Sequence, residues 1–304
     1  MANNSYTFFN RNLFFSGDDD RLLEHKMKHF PRRIILVRHG ESEVNEDEAV
    51  LEYVPNYKIK LIKKGIHNAR TTGRKIREIV SENGELDDFK VLFYVSPSSR
   101  TRETMEEMIC RGETFEKSKI VGVREECRLR EQHFGNFQDV EERKKIKRSR
   151  NRYGKFFYRV PDGESSADVY DRVSTFLEGL WRDMESNKFS NEMNLIVVSH
   201  GLTILLFLMK WFNWTVDEFE GLANPTNCEY RVLELGPDGE YSLALHHRLD
   251  HLKEWGLSDQ MIEDQIIRAR GLRAFLDQKC LDASSDDDTE SSDESVGDYN
   301  SDEK

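Results

Sequence analysis

The chain has 304 residues, a net charge of −12 and 37% hydrophobic residues, enough for one large domain or two small ones. The charge is uneven: residues 282–304 hold ten acidic residues and one lysine, −9 in all, which leaves about −3 on the other 281. No apolar run reaches the ~18–20 residues of a membrane helix, and Cys110, Cys127, Cys228 and Cys280 form no close pair that would suggest a zinc site or a disulfide framework.

Residues 1–30 are polar with scattered aromatics, Phe8, Phe9, Phe14 and Phe15, and lack the order of a signal peptide. They read as a mobile arm ending in a short helix, Asp20 to His29, closed by Pro31. Ile34 to Val37 is a short apolar run that predicts a strand buried on both faces, and it leads into Arg38-His39-Gly40-Glu41. Residues 61–81 place apolar side chains at 62, 66, 69, 76, 79 and 80, the spacing of an amphipathic helix. Lys90 to Val95 is a second buried strand, broken by Ser96-Pro97, with a helix from Arg100 to Cys110 capped by Ser99.

Ile120 to Val123 reads as a further short strand, and residues 129–160 are strongly basic without a clean period. Residues 166–186 give another amphipathic helix. Leu195 to Val198 is a third clear buried strand, ending in His200-Gly201 and followed by a helix to Trp211. Tyr230 to Leu235 and Tyr241 to Leu245, joined by Gly-Pro-Asp-Gly, predict a β-hairpin, and helical patterning resumes near Ser258. Strands alternating with crossover-length helices predict a three-layer α/β/α fold with a mostly parallel sheet. The expected organisation is an arm (1–30), one domain (31–281) and an acidic disordered tail (282–304).

Three strands end in polar groups: Arg38-His39, Arg100 just beyond Ser96-Pro97, and His200. In a parallel sheet these ends share one edge, where α/β proteins hold ligands. Two arginines and two histidines around one point suit a phosphate dianion, since the guanidinium fork matches phosphate oxygens. Gly40 and Gly201 would allow close approach of main-chain N–H groups. A neutral imidazole attacks phosphorus well when its other nitrogen is held by a hydrogen bond. The leaving alkoxide needs a proton, and Glu131 is the candidate donor, in a role that burial would favour.

Arg38-His39-Gly40-Glu41-Ser42 with Asn45 resembles the signature of the histidine phosphatase superfamily, which includes the cofactor-dependent phosphoglycerate mutases. Ser96 to Arg100 with Thr104, Leu129-x-Glu131-x-x-x-Gly135, Pro161-Asp-Gly-Glu-Ser165 and Val198-Ser-His-Gly201 are similar to its later segments, in the same order. The resemblance covers about residues 32–205 and is nearest to plant and fungal phosphoglycerate mutase-like proteins. It implies His39 as the phosphorylated nucleophile and Arg38, Arg100 and His200 as phosphoryl-binding residues. It also implies Glu131 as the proton donor, Gly40, Ser42, Asn45 and Gly201 around the phosphate, and no metal or other cofactor.

In the mutases the matching glutamate is followed by Arg, His and Tyr; here Gln132, His133 and Phe134 follow. A guanidinium and a phenol are missing, so water should discharge phosphohistidine more readily, and a phosphatase is expected before a mutase. A weakly active phospho-ligand-binding protein is the third reading. The basic run 143–155 reads as a solvated helix face or as a cap insertion that recruits a polyanionic substrate; nucleic acid is not the expected partner. Several tail serines have acids at +3, the pattern of an acidophilic kinase site. The cytoplasm is the expected location, with the nucleus as a second compartment. His246, His247 and His251 read as surface or packing residues.

Overall fold

β1 (Arg33–Arg38) is central because both its faces are apolar. Ile34 and Leu36 belong to one buried cluster, and Ile35 and Val37 to another on the opposite face. The computed structural model describes residues 19–109, 114–137, 139–272 and 274–275. The arm before residue 19, Cys110, Cys280 and the acidic tail lie outside the described residues.

The other strands are β2 (Lys90–Val95), β3 (Ile120–Glu125), β4 (Met193–Ser199), β5 (Tyr230–Leu235) and β6 (Tyr241–Ser242). They form one six-stranded sheet in the order β3-β2-β4-β1-β5-β6. The first four are mutually parallel, and the hairpin adds β5 antiparallel to β1 and β6 antiparallel to β5. Register sets Ile34 beside Leu195 and Val37 beside Val198. A slip of one residue would turn every apolar side chain to the wrong face.

The helices are α1 (Asp19–His29), α2 (Glu43–Glu46), α3 (Lys63–Val80), α4 (Ser99–Ile109), α5 (Val140–Tyr153), α6 (Ser166–Glu185), α7 (Gly201–Trp211), α8 (Val216–Gly221), α9 (Leu249–Glu254) and α10 (Asp259–Arg270). α3 and α4 cover one face of the sheet, with Ile76, Val80, Met105 and Met108 packed on Ile35, Phe93 and Ile196. α6 and α7 cover the other, with Val173, Phe176, Leu177 and Phe207 on Leu36, Leu92 and Leu195. Each such side chain contributes roughly 1.5–3 kcal/mol by leaving water, which offsets the ordering of its segment. The fold is therefore the expected α/β/α sandwich.

The residues expected to form the distal part of the arm fold back as α1. Lys26 pairs with Glu240 at 3.0 Å, and the Phe30 ring lies edge-on to Trp181. In the basic stretch, where no period predicts a helix, α5 forms. Asp139 caps it by accepting from the N–H groups of Glu141 and Glu142. Its half-buried positions are Val140, Arg143, Ile146 and Arg150, at helical spacing, so two of the four inward side chains are cations. That inversion hides the helix from a hydrophobic-period reading. In the hairpin, β6 is shorter than expected and leaves part of the β5 edge unpaired. His247 Nε2 accepts from the Val232 N–H at 2.8 Å there, a packing role for that histidine.

Candidate active site

The carboxyl ends of β1, β4 and β2 meet at one edge of the sheet. The backbone fixes them: His39 N donates to Ser199 O at 3.0 Å, and Ser96 N donates to Val198 O at 3.0 Å. His39, His200 and Arg100 are thereby buried together, at 3%, 0% and 2% exposure. The two imidazole centroids are 5.3 Å apart.

Each ring has a defined tautomer. His39 Nδ1 lies 2.7 Å from Gly40 O, which can only accept, so Nδ1 carries the proton. Nε2 is then left with its lone pair, toward which Arg100 Nε donates at 3.2 Å. Arg100 Nη2 donates at 3.2 Å to His200 Nδ1, so the His200 proton is on Nε2, 2.7 Å from Ser96 Oγ. Burial holds the proton affinity of both rings well below the usual histidine value, with the Arg100 charge adding to the effect. Both are neutral at neutral pH.

Arg100 sits in the first turn of α4 and links the two rings. Its Nη1 donates to the main-chain O and the Oδ1 of Asn56 at 2.7 and 2.8 Å, which fixes the guanidinium plane. Burial pushes its pKa down to about 10, so it remains cationic at neutral pH. Arg38 Nη1 donates to Pro225 O at 2.5 Å, while its buried Nε has no hydrogen-bond partner among the described residues. Burial lowers its pKa, opposed by the charges of Glu131 and Glu229. Arg38 is thus a desolvated cation with one donor unused, beside a neutral nucleophile.

Glu131 lies on the loop after β3. Its Oε2 is 3.6 Å from His200 Nδ1, and its Oε1 accepts from the Gln132 N–H at 3.0 Å. A cavity of about 340 Å³ opens beside it, with Asn56, Tyr57, Ser98, Phe134 and Phe137 among its walls. The arrangement can hold a phosphoryl group against His39 Nε2, with a carboxyl near the ester oxygen and room for the rest of the substrate.

The other sequence-predicted residues play more local parts in this arrangement. Gly40 N donates to Thr104 Oγ1 at 2.9 Å, and a Cβ on Gly40 would come within 2.7 Å of Gly65 O, so the glycine permits close passage of α3. Ser42 and Asn45 bond to each other: Asn45 Oδ1 accepts from Ser42 N and Oγ, both at 3.0 Å, at the start of α2. A Cβ on Gly201 would meet Asn224 Oδ1 at 2.1 Å, so a side chain is excluded where α7 leaves His200. Sequence reasoning missed Asn56, which fixes Arg100, and Asn227, whose Nδ2 donates to His39 O at 3.0 Å. An isolated asparagine carries no pattern that would mark either one. Within the basic run 143–155, sequence reasoning did not single out Arg150 of α5, a half-buried guanidinium that feels the charges of Glu131 and Glu220 and whose buried Nε has no hydrogen-bond partner among the described residues.

Residues 34–247 match the family model of the histidine phosphatase superfamily, branch 1. The chain belongs to that superfamily. It is 51% identical over 257 residues to phosphoglycerate mutase-like protein AT74 of Arabidopsis thaliana, covering 83% of this chain and 80% of that one. It is 31% identical over 286 residues to the broad-range acid phosphatase DET1 of Saccharomyces cerevisiae, covering 67% of this chain and 86% of that one. Among solved structures, Bacillus stearothermophilus YhfR superposes with a TM-score of 0.52 at 19% identity, over 70% of this chain and 95% of that chain, a likeness of fold. Superfamily membership together with a phosphatase among the relatives supports enzyme status.

Proposed function

We propose that the protein hydrolyses phosphomonoesters through a phosphohistidine on His39. One observation carries the reading: Arg100 is hydrogen-bonded to both imidazoles, while Gly40 O holds the His39 Nδ1 proton and keeps Nε2 unprotonated as the attacking atom. The Nε2 lone pair forms the N–P bond as the ester P–O bond breaks. The departing oxygen takes the proton of the Glu131 carboxyl, and the alcohol leaves. Water then attacks phosphorus, its proton passes to Glu131, and the N–P electron pair returns to His39. Arg38 and Arg100 offset the charge on the phosphoryl oxygens in both steps. They supply the cationic stabilisation that a metal ion gives in other phosphatases, so activity should survive a chelator.

Gln132 favours hydrolysis over mutase chemistry. Its side chain is buried and its Nε2 donates to Glu164 O at 2.7 Å, so no cation follows the proposed acid to bind a second anionic group. A mutase is the alternative because a 51% identical relative is named phosphoglycerate mutase-like. The test is purified protein assayed against a phosphomonoester panel, with and without chelator, and against 3-phosphoglycerate with its bisphosphate primer. Release of inorganic phosphate supports the reading; formation of 2-phosphoglycerate without phosphate release overturns it. The half-buried Arg150 supports a substrate with more than one anionic group, although Gln132 provides no charge toward it.

A further inference from the structure

Glu131 stands on a segment with no strand or helix to hold it. A one-turn helix ends at Leu129, and the following residues are irregular. A proton donor out of place by about 1 Å can lose roughly 10²-fold in rate. Something must therefore fix residues 128–133, and three side chains from elsewhere in the chain bond to their carbonyls. Ser199 Oγ donates to Leu129 O at 2.7 Å, and Thr203 Oγ1 donates to Arg130 O at 3.0 Å. Arg172, on α6, donates through Nη1 to Arg128 O at 2.5 Å and through Nη2 to Glu131 O at 3.1 Å. In the other direction, Gln132 Nε2 within the segment donates to Glu164 O at 2.7 Å and ties it to the loop before α6.

We propose that Arg172, held by Glu164, is the positioning residue for Glu131, an inference that rests on the phosphatase reading above. Among the described residues, Arg172 is the side chain bonded to Glu131's own carbonyl. Glu164 grips it at two points, Nε to Oε1 and Nη2 to Oε2, each 3.1 Å. The same carboxylate accepts from the His133 N–H at 2.9 Å and from Arg130 Nη2 at 2.6 Å. One ion pair thus clamps the main chain on both sides of Glu131. The pair is mostly buried, with side-chain exposures of 10% and 15%. Burial raises the proton affinity of Glu164, but bonds from Arg172, His133 and Arg130 outweigh it and hold the carboxyl below its ordinary value. All three guanidinium nitrogens of Arg172 are engaged, so none is left for substrate. A lysine keeps the charge but cannot reproduce the planar three-point contact.

The chemistry separates positioning from general support. A carboxyl proton matters when the leaving group is a strong base, such as an alkoxide. It matters little for p-nitrophenolate, which departs unprotonated. The experiment compares kcat/KM, which reports formation of the phosphohistidine and not its hydrolysis, for the full chain and for Arg172→Lys, Arg172→Gln, Glu164→Gln and Glu131→Gln on glycerol 2-phosphate and on p-nitrophenyl phosphate. Arg172→Lys and Arg172→Gln should lose about 100-fold in kcat/KM on glycerol 2-phosphate and less than about 5-fold on p-nitrophenyl phosphate. Equal losses on both substrates, or full activity in Arg172→Lys, overturn the inference.

If the Arg172 variants fail to fold, the substrate ratio of Glu164→Gln decides. It should shift the same way by about 5-fold, and an unchanged ratio overturns the clamp. Glu131→Gln tests the underlying reading separately: equal loss on the two substrates there removes Glu131 as the proton donor, whatever Arg172 does. A crystal structure of Arg172→Lys asks the question without turnover. Residues 130–133 should move relative to His200, and an unmoved Glu131 carboxyl overturns the inference.

Discussion

The two halves of the site are built by different means. The nucleophile half is set by the sheet: His39 and His200 follow the last residues of adjacent parallel strands, and strand pairing brings the rings to 5.3 Å. The acid half is set by side chains: Glu131 sits on an irregular loop held by Ser199, Thr203 and Arg172. Its carboxyl side chain is 21% exposed, against 0% for His200. A strand end tolerates change around it because backbone bonds fix it. A loop on side-chain hooks depends on each hook. The first half should therefore fail abruptly, through loss of a reacting group, and the second by degrees, through loss of alignment.

The sharpest break comes from removing the reacting group. His39→Ala should lower phosphatase activity at least about 10³-fold, because it removes the nucleophile of the proposed reaction. Wild-type folding by circular dichroism together with near-normal turnover would end the phosphohistidine account. Next comes the bridge between the rings. Arg100→Gln should cost about 10²–10³-fold in kcat, the size expected when one preorganised charge is withdrawn from a forming anion. Arg100→Lys should recover little of it, since a single ammonium cannot reach His39, His200 and Asn56 together. A lysine variant with wild-type kcat would show that charge alone, and not the fork, matters here.

The same division decides what could be read from the sequence. Strands β1, β2 and β4 were legible because a strand buried on both faces must be continuously apolar, and each of these is. Polar residues directly after such strands stand out, so His39 and His200 were found, and Arg100 one turn into α4. The acid half left a fainter trace. Glu131 was found through its place in a motif, whereas Arg172 lies within an amphipathic helix as an ordinary polar position. Asn56 and Asn227 act through single amide contacts that leave no periodicity. α5 was legible only as a solvated helix face, because its inward side carries Arg143 and Arg150 among Val140 and Ile146 and gives no clean hydrophobic period.

Arg150 tests the outer edge of the comparison. It comes from α5, not the sheet, and no ion pair to it is found among the described residues, although it feels Glu131 and Glu220. Burial lowers its pKa, so the guanidinium is held at some cost without a fixed counter-ion. Arg150→Gln should raise KM for fructose 1,6-bisphosphate about 10-fold while leaving fructose 6-phosphate nearly unchanged, since one charge-assisted contact contributes roughly 1.5–3 kcal/mol. An equal change for both substrates would remove α5 from substrate choice.

The last effect expected is on stability and not on turnover, and it separates the halves by pH. His39 and His200 are neutral and buried, with proton affinities well below the ordinary value, chiefly through burial; His247, bonded to the β5 backbone, is pushed down to about 3 for the same reason. In the unfolded chain these rings titrate near the ordinary value of about 6.5. Below that pH the unfolded state binds protons that the folded state refuses, so stability is full above about 6.5 and falls as pH drops, at up to about 1.4 kcal/mol per pH unit for each fully buried ring. Glu164 has the opposite displacement: its folded value is depressed, so its contribution is present above the ordinary carboxylate value of about 4.3 and is lost only below it. Denaturant melts between pH 7 and 5 should thus report the imidazoles alone, and His247→Gln, which keeps an acceptor for the Val232 N–H, should make that decline shallower. The Glu164 clamp should enter only in the steeper fall below about pH 4.3, where Glu164→Gln flattens the curve. A flat profile from pH 7 to 5 would mean that the rings are not held neutral, and the tautomers assigned to His39 and His200 would then have to be given up.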